Sequence, residues 1–235
     1  MKKALSIFFT LFILICLSLP TDVNGQESDV PVMKLPDKLL GTLKVGHPRL
    51  HLDAKGFADL KLKIASDSTL KTWYDGIVKK GEALLSDPVA IYVIPDGLRL
   101  LDVSRKVVGR ISILGFLYQL SGDTKYAERG WKEMEAVSKF PDWNPKHFLD
   151  VGEMTNAFGL GYDWFYRYLN TDKRHIIKSA IIEKGLCRAL LAYEKKSLQN
   201  EGWWPEVSHN WNQVCNGGIG IGALAIADEE PARCS

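Results

Sequence analysis

From Asp53 to Asp228 apolar residues recur every three or four positions, and no stretch sustains the alternation of a half-buried strand. That period restricts the chain to an all-α fold. Asp53 precedes a helix whose apolar side is Phe57, Leu60, Leu62 and Ile64, and a second helix, Leu70 to Leu85, ends at Asp87-Pro88. The run Ala90 to Pro95 reads as a short strand or an extended connector. Val103, Val107, Ile111, Leu114 and Leu117 mark a helix over Asp102 to Leu120. Ser121-Gly122-Asp123 turns it into a partner over Thr124 to Phe140. Phe148 to Leu169 and Asp172 to Tyr193 repeat the arrangement, and a last helix spans about Trp211 to Asp228. The last helix holds Gly217, Gly218, Gly220 and Gly222, each costing about 1 kcal/mol of helix propensity relative to alanine. Such a cost implies close backbone packing or the approach of a ligand. Hairpins that bury one face against the next build a curved or closed array, with the long loops gathered at one mouth.

Residues 1–25 read as a secretory signal peptide: Lys2 and Lys3, an uncharged apolar run from Ala4 to Leu19, then Pro20 and a small-residue cleavage region before Gln26. The run is too short for a membrane span, and Ile15 before Cys16 disfavours lipidation. A periplasmic or secreted protein, free of the membrane after cleavage, is expected. Residues 26–46 form an extended arm without a clear period, and residues 47–235 form the globular domain. Cys187, Cys215 and Cys234 are odd in number, so they cannot all pair, and no cysteine–histidine spacing suggests zinc. No metal site and no cofactor are expected in this segment. Thirty basic against twenty-eight acidic residues give +2, which is no electrostatic footprint for nucleic acid.

Seven tryptophans and eight tyrosines, most of them after position 125, could stack on sugar rings or fill the core. Two segments concentrate polar and aromatic groups. The first holds Trp143, Asn144, His147, Asp150, Glu153, Asn156, Tyr162, Asp163 and Trp164, with Asp150, Glu153 and Asn156 drifting along one helix side. A solvated stripe is the plain alternative. The second runs from Trp203 to Gly218 and carries Trp204, His209, Asn210, Asn212, Gln213 and Asn216 at a helix start. Free amide N–H groups and the positive dipole end there suit a carboxylate, and His209 could move a proton. A helix cap (Asn210) and an exposed loop histidine (His209) are the plain alternatives. Asp150 and Glu153 make a poor glycosidase pair, because such carboxylates face one another across the bond, usually from different elements. GxSxG, P-loop and HExxH motifs are absent.

The segments DWNPKHFLD (142–150), GYDWFY (161–166) and NWNQVCNGG (210–218), within a match from about His47 to Pro231, resemble the N-terminal helical domain of heparinase II/III-like polysaccharide lyases, the oligoalginate and heparin lyase type. The resemblance implies an incomplete (α/α) toroid, normally followed by a β-sandwich in which a structural metal can sit. It implies β-elimination on a uronic-acid-containing polysaccharide. Asn210 then matches the amide that neutralises the C5 carboxylate, His209 a base or substrate contact, and Trp143, His147, Asp150, Glu153, Trp204, Asn212, Gln213 and Asn216 the cleft. The catalytic tyrosine and the sandwich of that family lie further along than Ser235, so a fragment with little or no turnover of its own is expected. A non-catalytic glycan-binding module and an (α/α)-barrel glycoside hydrolase are the alternatives.

Overall fold

The computed structural model describes residues 40–198 and 201–229; the expected signal peptide, most of the arm, Cys16 and Cys234 lie outside them. The chain divides into a first unit, Met1–Leu43, of which only a turn at 40–43 is described, and a second, Lys44–Ser235.

The second unit is all-helical among its described residues. Helices α1 (Ala54–Ser66) and α2 (Ser68–Leu84) meet at Asp67. Its N–H closes the last turn of α1 on Lys63, and its carboxylate accepts from the Thr69 and Leu70 amides that open α2. Helices α3 (Leu101–Ser121) and α4 (Thr124–Ser138) form the expected hairpin. Gly122 ends α3 in the left-handed region at φ 74°, where glycine carries no Cβ penalty, and Asp123 caps α4. Between the two hairpins, Ala90 to Pro95 is an extended connector and not a strand. It is tied down by the Ala90 amide, which donates to the buried Glu133 at 3.2 Å. Arg110 and Arg129 each reach Glu133 at 2.8 Å, so this interior carboxylate is fully paired.

Helix α5 (Leu149–Phe165) is the centre of the fold and packs most extensively against α8 (Asn210–Ile226) and α3. Met154, Ala157, Phe158, Tyr162 and Phe165 are all fully buried, which explains why the sequence of α5 is apolar nearly all round. The predicted helix over Asp172 to Tyr193 is broken into α6 (Thr171–Ala180), a π turn (Ile181–Leu186) and α7 (Cys187–Tyr193). Gly185 in that turn sits against Thr155: a Cβ there would lie 2.5 Å from Thr155 Oγ1, so the widened turn lets the chain pass close to α5.

The glycines of the last helix serve backbone packing. A Cβ on Gly218 would lie 2.0 Å from the carbonyl oxygen of Gly152, and one on Gly159 2.9 Å from the Cα of Gly222. Helices α5 and α8 therefore touch main chain to main chain. Gly217 and Gly220 point to open space instead. No helix among the described residues is long and apolar enough to cross a membrane.

Candidate functional site

A groove of about 340 Å³ runs along the junction of α5 and α8, lined by Glu153 and Asn156 on one side, Gln213, Gly217 and Ile221 on the other, and His51 at one edge. The two polar segments singled out in the sequence thus meet in one concavity. Asn210 precedes Gln213 by three residues and Gly217 by seven, so helical register puts it on the same face of α8, at the helix's N-terminal end. Its side chain is exposed. At the mouth, the exposed guanidinium of Arg105 on α3 stands 3.7 Å from Glu153 Oε1.

His209, and not Asn210, is the cap of α8. Its Nδ1 accepts from the Trp211 amide at 3.4 Å, a long and weak bond. With Nδ1 accepting from that amide, a neutral His209 carries its proton on Nε2 and presents a donor toward solvent. His51 lines the groove, and no other described residue binds its ring nitrogens. It sits at φ 59°, in the left-handed region that histidine tolerates better than most residues.

The other expected residues fall into two groups. Trp143, Trp204 and Asp150 have no exposed surface and cannot touch a ligand in this arrangement. Trp204 stacks on Phe148 with ring centroids 4.7 Å apart, and Trp143 packs on Phe158 at the same separation. Asp150 Oδ2 accepts from the Leu100 amide and from Asn144 Nδ2, each at 2.7 Å, while Oδ1 meets His147 Nδ1 at 3.0 Å. Burial pushes this carboxyl's pKa up, and the hydrogen bonds from Asn144, His147 and Leu100 pull the other way. Asp150 therefore fixes the start of α3 against α5. Nearly buried, His147 is held between Asp150 and the Trp211 ring, 4.7 Å centroid to centroid.

Asn212 and Asn216 face away from the groove. Asn212 Nδ2 donates to the Pro205 carbonyl at 2.9 Å, and Asn216 accepts from the Tyr193 hydroxyl at 2.6 Å. Tyr162, Asp163 and Trp164 also serve the interior. Asp163 accepts from His47 Nδ1 at 2.6 Å and from the amides of Arg49 and Leu50 at 2.9 and 2.8 Å, pinning the strap 47–50 onto α5.

Two groups at the surface, His51 and Arg105, carried no role in the sequence reading, and Trp203 entered it only as the start of the second polar and aromatic segment. Trp203 is 42% exposed and lies 4.5 Å from the Trp211 ring and 6.0 Å from His209, giving an aromatic platform beside the start of α8. The Trp203-Trp204 pair announces an aromatic contact, but only the short 3₁₀ turn at Trp204–Glu206 decides which ring turns inward. No protein-family model matches the chain, and no curated protein matches its sequence.

Proposed function

We propose that the chain is the helical domain of a secreted polysaccharide lyase, an incomplete (α/α) toroid that takes an acidic, uronate-containing glycan into the α5–α8 groove. The observation that carries this reading is the groove with Gln213 and Gly217 of α8 opposite Glu153 and Asn156 of α5, Arg105 beside Glu153, and Asn210 one turn before Gln213 by helical register. The free N–H groups of the first turn and the Asn210 amide offer donors to a carboxylate, and Trp203 and Trp211 offer faces to a sugar ring.

In β-elimination the C5 proton leaves to a base, the C4–O bond breaks, its electron pair goes to the departing oxygen, which takes up a proton, and a C4–C5 double bond remains. Neutralising the C5 carboxylate lowers the pKa of that proton, and donors fixed in advance at the developing anion do so without reorganisation. Asn210 serves as this donor. His51, with both ring nitrogens available, is placed to accept the proton, and His209 Nε2–H to contact the sugar acid.

A glycan-binding module is the second reading. It is favoured by the absence of any described tyrosine from the groove lining, since a tyrosine hydroxyl commonly protonates the leaving oxygen in such chemistry. Alginate, heparan sulfate and chondroitin sulfate oligosaccharides, titrated calorimetrically and followed for the absorbance of unsaturated uronate, separate the two. Binding with rising absorbance supports the lyase, and binding alone supports the module. Asn210→Ala, at unchanged melting temperature, should weaken binding by about ten- to a hundredfold, the equivalent of about 1.5–3 kcal/mol for one charge-assisted bond. Binding at the parent affinity in both Asn210→Ala and Arg105→Ala would remove this groove from consideration.

A further inference from the structure

Away from the groove, the strap that carries His47 meets the residues just past the end of α8. One ring nitrogen of His47 and one oxygen each of Asp228 and Glu229 lie within 4.8 Å of one another. The His47 side chain is 1% exposed, and its Nε2 has no hydrogen-bond partner among the described residues. A buried ring nitrogen left without a partner is costly, so its persistence beside two carboxylates calls for a ligand.

We infer that His47, Asp228 and Glu229 form a binding site for a divalent transition-metal ion of the zinc or manganese kind. The surroundings have the form such sites take. Asp163, fully buried and 2.6 Å from His47 Nδ1, holds the proton on that nitrogen and leaves the Nε2 lone pair free for a ligand. The ring is fixed from its face by Tyr166, stacked at 4.0 Å, and from its edge by Tyr162. Both tyrosine hydroxyls donate to Glu229 Oε1, at 3.0 and 2.8 Å, which orients the second ligand. One imidazole and two carboxylates match a zinc or manganese donor set better than the all-oxygen set that calcium or magnesium takes.

The positive charges nearby are Arg49, 2.6 Å from Asp228 Oδ1, Lys178, 3.3 Å from Glu229 Oε2, and Arg174, over the Tyr166 ring. They balance the three carboxylates, so retention of the ion rests on ligand geometry and not on surplus negative charge. The bound ion would tie the strap 47–50 to the end of α8, a role independent of any activity in the groove.

The test is a calorimetric titration of the EDTA-treated, dialysed chain with zinc chloride, repeated with cobalt chloride to read the visible absorption of a coordinated ion. The expected result is one equivalent bound, a rise in melting temperature, and loss of both in Asp228→Asn and Glu229→Gln. These two variants alter residues at the edge of the fold and leave the His47–Asp163 pin in place. No stoichiometric uptake by the parent, or equal uptake by parent and both variants, overturns the inference.

Discussion

His47 and Asp163 are 116 positions apart in the chain, and their side chains meet at 2.6 Å with almost no access to solvent. The same carboxylate accepts from the Arg49 and Leu50 amides, and Arg49 then reaches the Leu224 and Ala225 carbonyls at the end of α8. One aspartate on α5 thus organises the strap that closes α8, whose terminal carbonyls would otherwise lack partners. Asp163→Ala leaves several buried donors unmatched and should cost about 3–5 kcal/mol in urea unfolding. A loss under about 1 kcal/mol would show that the strap holds by packing alone.

The glycines of α8 divide into two kinds that a stability series can separate. Gly218→Ala drives a methyl into the Gly152 carbonyl, a backbone atom that cannot rotate away, and should destabilise by about 3 kcal/mol or more. Gly220→Ala meets open space within the helix and should stabilise by about 0.5–1 kcal/mol through helix propensity. Equal effects at the two positions would contradict the close approach of α5 and α8.

The order of helices, the Gly122 turn and the existence of a close approach at the last helix were all legible in the sequence, because each follows from local period or local propensity. The partners were not. Nothing near Asp150 announces that it receives the Leu100 amide, fifty residues earlier in the chain, so a buried pin reads in sequence like a cleft carboxylate. Asn212 and Asn216 were similarly opaque: among crowded amides, a helix wheel says which share a face but not which face meets solvent. The groove itself was visible only in halves, as one stripe on α5 and another on α8, whose meeting depends on the glycine contact.

Acid should weaken the closure of α8 in a definite direction. The hydrogen bond from Arg49 holds the Asp228 carboxyl below its ordinary 3.8, despite partial burial that pushes it up. The unfolded chain therefore takes up this proton first as pH falls. Asp228 contributes stability above about pH 3.8 that disappears as pH drops through its lower folded value. Parent and Asp228→Asn, unfolded in urea with EDTA present, should differ at neutral pH and converge toward pH 3. A constant difference across that range would refute the linkage.

Cys215 offers a probe of the same interior. Burial, reinforced by the negative charges of Asp150 and Glu153, pushes its thiol up to about 12. The thiolate is the reactive form, so Cys215 should resist iodoacetamide in the folded protein at pH 8 and be alkylated once urea unfolds the chain. Mass mapping of the modified peptide distinguishes it from Cys187. Rapid labelling of Cys215 under native conditions would mean that the α5–α8 seam opens readily.

That seam also shapes how the groove can change over evolutionary time. Its floor at Gly152 and Gly218 is bare peptide, and a Cβ on Gly218 would run into the Gly152 carbonyl. Substitution at Gly218 costs the fold stability, so the floor is the part of the groove slowest to change. Novelty in what the protein recognises must then arise on the flanks, at Glu153, Asn156, Gln213 and Arg105, where replacements can be tried without prying the two helices apart.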